Sequence, residues 1–561
     1  MGKTTVELRL GGGKWSHSGK VWARGSAFVG GQQKRPEDIC QHFDGVTDKN
    51  GFLSSLKELN GFFAVVVKQE NALFAAVDRV RSIPLFYSWS NERLLLSDDA
   101  HWIEARLKEE QLDALSVGEF LLTGYVTGRH TLHSHILQLQ AGEYLIAEFS
   151  QEKSDLQVDR YYQFKPSDAL VEPESMLLQK LDEAVLASIE RLITFAAGRP
   201  IAIPLSGGID SRLIALGLKQ LGYRNVLAFS YGRRGNNEAQ ISQAVAVGLG
   251  IPWYFIEYSE ALWHLWYNLP EWQQYSSFAE GLSSVAHLQD WPAVMELKRQ
   301  GVLPSESVIV PGHTGDFVSG GHIPQELLRF KVFDLETVAK TIWRHHYVLT
   351  TLDVASRYSK LNPTTLVKGL TQRIVENFKD IAVKTLEDAI GTYYLWEWGE
   401  RQAKFIVNAV RVYDFWGYEW WLPWWDLEFL EFWSKVPLVY RLNRQLYRRY
   451  VANVQHKLGL TVEQGLISIE DKSLKTSVKN VLERAHLLAL ARWVYRISIG
   501  RYIRSRALEV EYKEHPLAWY GIVDFSRYKE LLRATGNINT ILAVDQIERR
   551  RQRFKTPETK G

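Results

Sequence analysis

Between residues 200 and 310 short apolar runs alternate with amphipathic stretches, and this alternation restricts the fold more than any other feature of the chain. Pro200-Ile201-Ala202-Ile203-Pro204-Leu205 reads as a short buried strand, Asn225 to Ser230 as a second, Pro252 to Tyr258 as a third and Val308-Ile309-Val310 as a fourth. Leu213, Ile214, Leu216 and Leu218 lie on a helix that stops near Gly222, and Glu238 to Leu249 forms another ending at Gly250. Upstream, Leu177, Leu181, Val185, Ile189 and Leu192 recur at helical spacing. Strand following helix in this way predicts a parallel sheet with helices on both faces. From about 325 to 540 the chain reads mostly as helices rich in Trp, Tyr and Arg.

The first 164 residues follow a different pattern. Gly61 to Val67, Ala72 to Val77, Ile83 to Tyr87 and Leu94 to Ser97 are short apolar runs separated by turn residues, which predicts antiparallel hairpins. Their nearly continuous hydrophobicity predicts strands covered on both faces, as in stacked sheets, with a further pair around Gly142 to Ile146. Gln163 to Pro173 has two prolines and no periodicity, so the boundary is expected there. The expected organisation is a β-rich domain over 1–165, an α/β domain over 174–545 and a basic, solvated tail over 546–561. The 561 residues include one cysteine, Cys40, which excludes an internal disulfide and a Cys-rich zinc site. A net charge of +3 gives no support to nucleic-acid binding, and no apolar run is long enough to span a membrane. The start of the chain lacks the apolar core of a signal peptide, so a cytoplasmic location is expected.

The chemistry is expected at Leu205-Ser206-Gly207-Gly208-Ile209-Asp210-Ser211, where a strand meets a helix. Backbone N–H groups freed there converge on an anion, and the helix N-terminus adds positive potential. Two glycines admit phosphates closely, and the Ser206 and Ser211 hydroxyls can donate. Asp210 would repel a phosphate directly, which implies an intervening Mg²⁺. His130, His133 and His135 have a spacing that could suit a metal, but no second cluster accompanies them. Trp416, Trp420, Trp421, Trp424 and Trp425 read as interface packing or as a stacking platform for a substrate.

SGGIDS resembles the pyrophosphate-binding loop of the ATP pyrophosphatases, and the rest of the chain is similar to B-type, glutamine-hydrolysing asparagine synthetases. Leu59 to Ala64, Asp78-Arg79 with Ile83 to Tyr87, and Leu96-Ser97-Asp98 resemble the second half of that family's glutaminase domain. Thr131 to Gly142 resembles its connecting segment and Arg160-Tyr161-Tyr162 its end. Pro311 to His322 stands where the family has SGEGSDEVFGGY, and Gly417 to Asp426 where it has ARxPFLD. The resemblance implies an N-terminal nucleophile hydrolase-like αββα domain of stacked antiparallel sheets. A Rossmann-like parallel α/β domain with a helical C-terminal part would follow. It also implies ATP and Mg²⁺ as cofactors, with Leu205, Tyr231, Pro311 and Gly312 around adenine and ribose. Ser206, Gly207, Gly208 and Ser211 would hold the pyrophosphate, and Asp210 and Asp316 the metal.

Two departures qualify what the resemblance implies. The family's glutaminase uses an N-terminal cysteine, whereas residue 2 here is Gly, so a silent glutaminase fold is expected. In the second motif His313 and Phe317 replace two glutamates. His313 is either a general base for an attacking amine or a phosphate contact or packing group. Arg212 either reaches a phosphate or the substrate carboxylate or faces solvent. Lys472 and Lys475 are candidates for the family's lysine that stabilises charge in acyl transfer. The expected reaction is adenylation of a carboxylate, aspartate or a related acid, followed by attack of ammonia or an amine. Related β-lactam synthetases and lasso-peptide cyclases, a sugar or secondary-metabolite amidation, and a nucleotide-binding pseudo-enzyme are the alternatives. Partners are expected to be small molecules, with no nucleic acid or membrane.

Overall fold

The computed structural model describes residues 5–460, apart from 12–13, 91–92, 108–110, 150–153, 167–169 and 379, and then 509, 512–532 and 538–553. Its N-terminal part contains β1 (Thr5–Arg9), β2 (Trp15–Ser18), β3 (Val21–Val29), β4 (Gln32–Lys34), β5 (Asn60–Lys68), β6 (Ala72–Val77), β7 (Phe86–Ser90), β8 (Arg93–Ser97), β9 (Leu137–Gln138), β10 (Glu143–Phe149) and β11 (Ser154–Arg160). One antiparallel sheet runs β11-β10-β6-β5-β3-β2, with β4 paired to β3, and a second runs β1-β8-β7-β9.

The unbroken apolar run of β5 is explained by its two faces. Phe63, Val65 and Val67 pack with Ile39, Cys40, Phe43, Phe52 and Leu56 of two covering helices. Ala64 and Val66 point the other way, onto Leu85 just before β7 and onto Tyr87, Leu94 and Leu96 of the second sheet. Leu95, between those last two, faces away again toward Trp102, Ile103 and Phe120. Period-two alternation thus builds four layers, helix on sheet on sheet on helix. The hairpin pattern did not indicate the four strands before residue 35. Nor did it indicate that β1 pairs with β8 in parallel.

After β11 the next helix is Glu174–Ala196, and Leu177, Leu181, Val185, Ile189 and Leu192 are all buried along it. The second sheet system is β12 (Ile201–Pro204), β13 (Val226–Gly232), β14 (Trp253–Glu257), β15 (Val308–Ile309) and β16 (Glu419–Trp420), in the spatial order β14-β13-β12-β15-β16 and parallel throughout. The helix Asn237–Leu249 is opened by Asn236, whose side chain accepts from the Ala239 N–H, and closed by Gly250 at φ 70°. The chain runs from β12 outward to β14, then returns to place β15 on the other side of β12. That reversal makes a crevice at the strand ends, the usual position for a ligand in an open α/β sheet.

β16 lies in a stretch expected to be helical, and it is an edge strand of only two residues. The Trp-rich segment around it joins the halves: Trp421 meets Phe62 at 4.8 Å and Phe195 at 4.6 Å. Asp426 accepts from Arg191 through both of its oxygens and from Asn60 at 3.0 Å. The basic C-terminal stretch needs correction. Residues up to Arg553 form the helix Ile538–Arg553, with Ile547 fully buried and Arg550 4% exposed against Glu104 and Glu280. Along that helix Arg550 is interior, Arg551 donates to the Tyr358 carbonyl and Arg549 lies 5.8 Å from the Tyr267 ring. No described helix is long and apolar enough to cross a membrane.

Candidate active site

Two loops leave neighbouring parallel strands and meet at the crevice. The loop after β12 enters the helix Ile209–Gln220 with Gly208 as N-cap and no side-chain cap, so the first-turn N–H groups are left for a ligand. The loop is shaped by its own hydroxyls: Ser206 N–H donates to Ser211 Oγ and Gly208 N–H to Ser206 Oγ, each at 3.2 Å. The loop after β15 is pressed against it. A Cβ on Gly312 would lie 2.3 Å from Ser211 N, and one on Gly315 would lie 2.5 Å from Asp210 Oδ1. Only glycine permits this approach, which brings Asp210 and Asp316 into one site.

Each carboxylate is held by a cation. Arg444 donates to Asp210 Oδ1 and, through Nε, to Ser319 Oγ at 2.9 Å. Burial raises the Asp210 pKa despite this partner. His322 Nε2 lies 2.9 Å from Asp316 Oδ2, and its Nδ1 meets Glu397. Burial opposes the imidazolium, yet Glu397 and Asp316 raise the His322 pKa to about 10. Burial likewise works against the Asp316 anion, but His322 holds that carboxyl below its ordinary range. Glu397 precedes a nine-residue π-helical stretch, Trp398–Ile406. From that stretch Gln402 contacts Glu397 at 3.4 Å and Thr314 Oγ1 at 3.2 Å. Thr314 sits at φ 79°, a left-handed conformation unfavourable for a β-branched residue. Wide helical turns and strained backbone both concentrate at functional sites.

Beside the first loop lies a cavity of about 240 Å³, bordered by Leu205, Ser206, Tyr231 and Glu238. Its wall expected of Pro311 and Gly312 is made instead by His515, Pro516 and Leu517, which return from the C-terminal part. Arg233 fastens that segment by donating from its backbone N–H to the Pro516 carbonyl at 2.6 Å and from Nε to the His515 carbonyl at 2.9 Å. Tyr231 stacks on Tyr258 with ring centres 5.2 Å apart and donates to Asp290.

The remaining candidates separate. His313 is near Asp316 and His287, its Nδ1 has no partner, and burial lowers its pKa to about 4. It is therefore a neutral acceptor at neutral pH. Arg212 meets neither environment expected of it. Fully buried, it donates to the Gly207 carbonyl at 3.1 Å and to Gln455 at 3.2 Å, bracing the loop from behind. Lys472 and Lys475 lie outside the described residues. His133 is occupied within its own turn, accepting from the His135 N–H at 3.1 Å. Among the described residues no group of three or more His, Cys, Asp or Glu could hold a metal. Asp210 and Asp316 alone suit Mg²⁺, which takes one or two carboxylates and completes its shell with water and phosphate oxygens. Reasoning from the sequence missed Arg444, His322 and Glu397; His322, closing the second motif, was the one with a visible signal.

Residues 180–456 match the Asparagine synthase family and residues 46–162 the Glutamine amidotransferase domain family. A curated relative, the "Probable asparagine synthetase [glutamine-hydrolyzing]" of Acanthamoeba polyphaga mimivirus, is 28% identical over 217 residues, or 36% of this chain and 35% of that protein. The chain thus spans about a third of the length of that relative. Among solved structures, the NH3-dependent NAD synthetase from Campylobacter jejuni is 19% identical over 36% of this chain and 96% of its own, at a TM-score of 0.20. The glutamine phosphoribosylpyrophosphate amidotransferase from B. subtilis is 11% identical over 53% of this chain and 63% of its own, at a TM-score of 0.19. On the two family matches, which fall on the parallel-sheet half and the stacked-sheet half in turn, the chain belongs to the asparagine synthase family.

Proposed function

We propose that this chain is an ATP- and Mg²⁺-dependent ligase that joins a carboxylate to a nitrogen nucleophile. The observation that carries the reading is the meeting of the two glycine-padded loops, with Asp210 and Asp316 beside a cradle of hydroxyls and N–H groups. A carboxylate oxygen attacks the α-phosphorus of ATP, the bond to the β-phosphate breaks, and pyrophosphate leaves. The amine nitrogen then attacks the acyl carbon, and AMP departs with the electron pair of the C–O bond. Bound Mg²⁺ would offset the charge that builds on the departing pyrophosphate.

The chain's own residues supply the rest. Ser206, Ser211 and the first-turn N–H groups bind phosphate oxygens, and Leu205 and Tyr231 border the base. Arg212 keeps Gly207 in position from behind. Arg444, which now holds Asp210, would release that carboxylate to a bound metal and could then turn to a phosphate oxygen. Neutral His313 accepts a hydrogen bond from the incoming amine. Cys40 is buried between helix and sheet, with its thiol pKa raised by burial, so it is no nucleophile. The nitrogen is therefore proposed to come from ammonia or a substrate amine rather than from glutamine. The domain division at 163–173 and a cytoplasmic setting belong to the same reading.

The test is pyrophosphate release from ATP and Mg²⁺ across a panel of carboxylates, first with ammonia and then with glutamine. Release with ammonia that disappears in Asp210→Ala supports the ligase. Release with glutamine alone contradicts the silent N-terminal half. ATP binding without release on any substrate would favour the pseudo-enzyme alternative.

A further inference from the structure

The cavity of about 240 Å³ beside the first loop has one wall whose chemistry the phosphate loops do not explain. Most polar side chains around it are already committed. Ser230 donates its hydroxyl to the Leu205 carbonyl at 2.6 Å, and Tyr231 gives its own to Asp290. Asn236 accepts from the Ala239 N–H at 2.8 Å through Oδ1 and donates Nδ2 to the Arg233 carbonyl at 2.7 Å. Gln289 borders the same cavity and differs. It is half-buried, its carboxamide makes no hydrogen bond to a described residue, and neither amide atom is sealed from open space. A donor nitrogen and an acceptor oxygen therefore stand side by side, free of the described residues.

The backbone beneath that carboxamide is fixed from both sides. The Tyr258 hydroxyl donates to the Gln289 carbonyl at 2.9 Å and accepts from the Ala293 N–H at 3.1 Å. Asp290, the next residue, opens the helix Trp291–Arg299 without capping it through its side chain. Its buried carboxylate instead accepts from Tyr231 and from Tyr413 at 2.6 Å, and meets His287 Nε2 at 3.4 Å. Strand β13, the residue after β14 and the helix Arg411–Trp416 are thus tied together beside Gln289. With the Gln289 carbonyl engaged by Tyr258, the carboxamide is the polar group this residue can present to the cavity.

Resting on the ligase reading, in which this cavity takes the base of ATP, we infer that Gln289 is a specificity-determining residue that reads the edge of adenine. Its oxygen accepts from the exocyclic amine of the base while its nitrogen donates to a neighbouring ring nitrogen, the paired contact by which a carboxamide recognises adenine. Tyr231, stacked on Tyr258, gives the base an aromatic neighbour, and Leu205 an apolar one. The loops that carry Asp210 and Asp316 face phosphates and metal, which are the same in every nucleoside triphosphate. Selection of the base therefore falls to the cavity wall, where the free carboxamide lies.

Calorimetric titration of the full chain and of Gln289→Leu with ATP and with purine riboside triphosphate, which lacks the exocyclic amine, tests it as a double-mutant cycle. Mg²⁺ is present and carboxylate is left out, so that binding is read without turnover. The wild type should bind ATP at least roughly fivefold more tightly than the purine analogue, whereas Gln289→Leu should bind the two within roughly twofold of each other. Thermal unfolding and the affinity for inorganic tripolyphosphate, which carries no base, should be the same in both proteins. An equal preference for ATP in wild type and variant, or no preference in the wild type, overturns the role of Gln289. A parallel loss of tripolyphosphate binding also overturns it, by making the residue structural. Wild type that binds neither nucleotide would sink the ATP reading together with this inference, whereas ATP-dependent pyrophosphate release with an unaltered base preference in Gln289→Leu sinks this inference alone.

Discussion

Asp78 lies in the turn that follows β6 and Asp210 in the first turn of the helix reached from β12, one in each half of the molecule, and the two acids are treated in opposite ways. Asp78 is wholly buried and accepts from the N–H groups of Phe63 at 3.1 Å and Val80 at 2.8 Å, and from the N–H and hydroxyl of Ser82. Backbone donors cannot leave, so this carboxylate serves the turn. Asp210 is met by side chains, Arg444 foremost with Tyr447 close by, and these can swing away when a cation arrives. A carboxylate sealed by backbone supports structure, whereas one held by movable side chains remains available for chemistry.

The largest expected effects come from exchanging the two acids for alanine. Asp78→Ala strands several buried donors and should cost about 3 kcal/mol of stability, read from urea unfolding. Asp210→Ala should change stability by no more than about 1 kcal/mol while lowering pyrophosphate release at least roughly 100-fold. Equal stability losses would erase the contrast.

Next in size is Gly312→Ala, whose Cβ would fall 2.3 Å from Ser211 N. Forcing the loops apart should reduce pyrophosphate release roughly 100-fold, with about 1–3 kcal/mol of destabilisation. Normal turnover in this variant would mean that the loops need not touch.

A pH effect separates a sealed cluster from the open site. His101 lies between Glu104 and Glu280; burial opposes its charge, but the two glutamates raise its pKa to about 9. Its contribution to stability is full below about pH 6.5, the unfolded value, and is lost as pH rises through 9. Glu104, lowered to about 2 by His101 and Arg550 against the pull of burial, contributes fully above 4.5 and loses this as pH falls toward 2. The His101–Glu104–Glu280 cluster should therefore contribute most to overall stability between about pH 4.5 and 6.5. Thermal unfolding across pH, with His101→Gln flattening the alkaline side, measures it.

The smallest effect is expected at Thr314→Gly. Relief of φ 79° should nearly offset the added freedom of the unfolded chain, leaving stability within about 1 kcal/mol. Loss of the Gln402 contact should lower turnover more than stability, and a drop in stability alone would make Thr314 a structural residue.

Much of this architecture was legible because its signals are local. Leu177 to Leu192 mark a buried helix face by spacing alone, and Ser206 to Ser211 single out the loop proposed to bind phosphate because few other uses combine two glycines, two serines and an aspartate behind a strand. β16 was not legible, since two residues carry no periodicity and pair only because β15 presents a free edge. Arg212 was misread in both its alternatives because a charge after a loop motif gives no sign that Gln455, 243 residues away, will receive it. Arg550 looked like part of a solvated tail for the same reason; Glu104 and Glu280 that bury it come from distant segments.

The sequence by itself determined the layered class of each half, the proposed phosphate loop and the family resemblance, all consequences of short-range patterning. Only the tertiary structure decided which charges meet: Arg444 on Asp210, and His322 between Asp316 and Glu397. The physical reason is that burial turns the placement of a charge into a long-range pairing problem, and its answer depends on how the strands and helices are stacked.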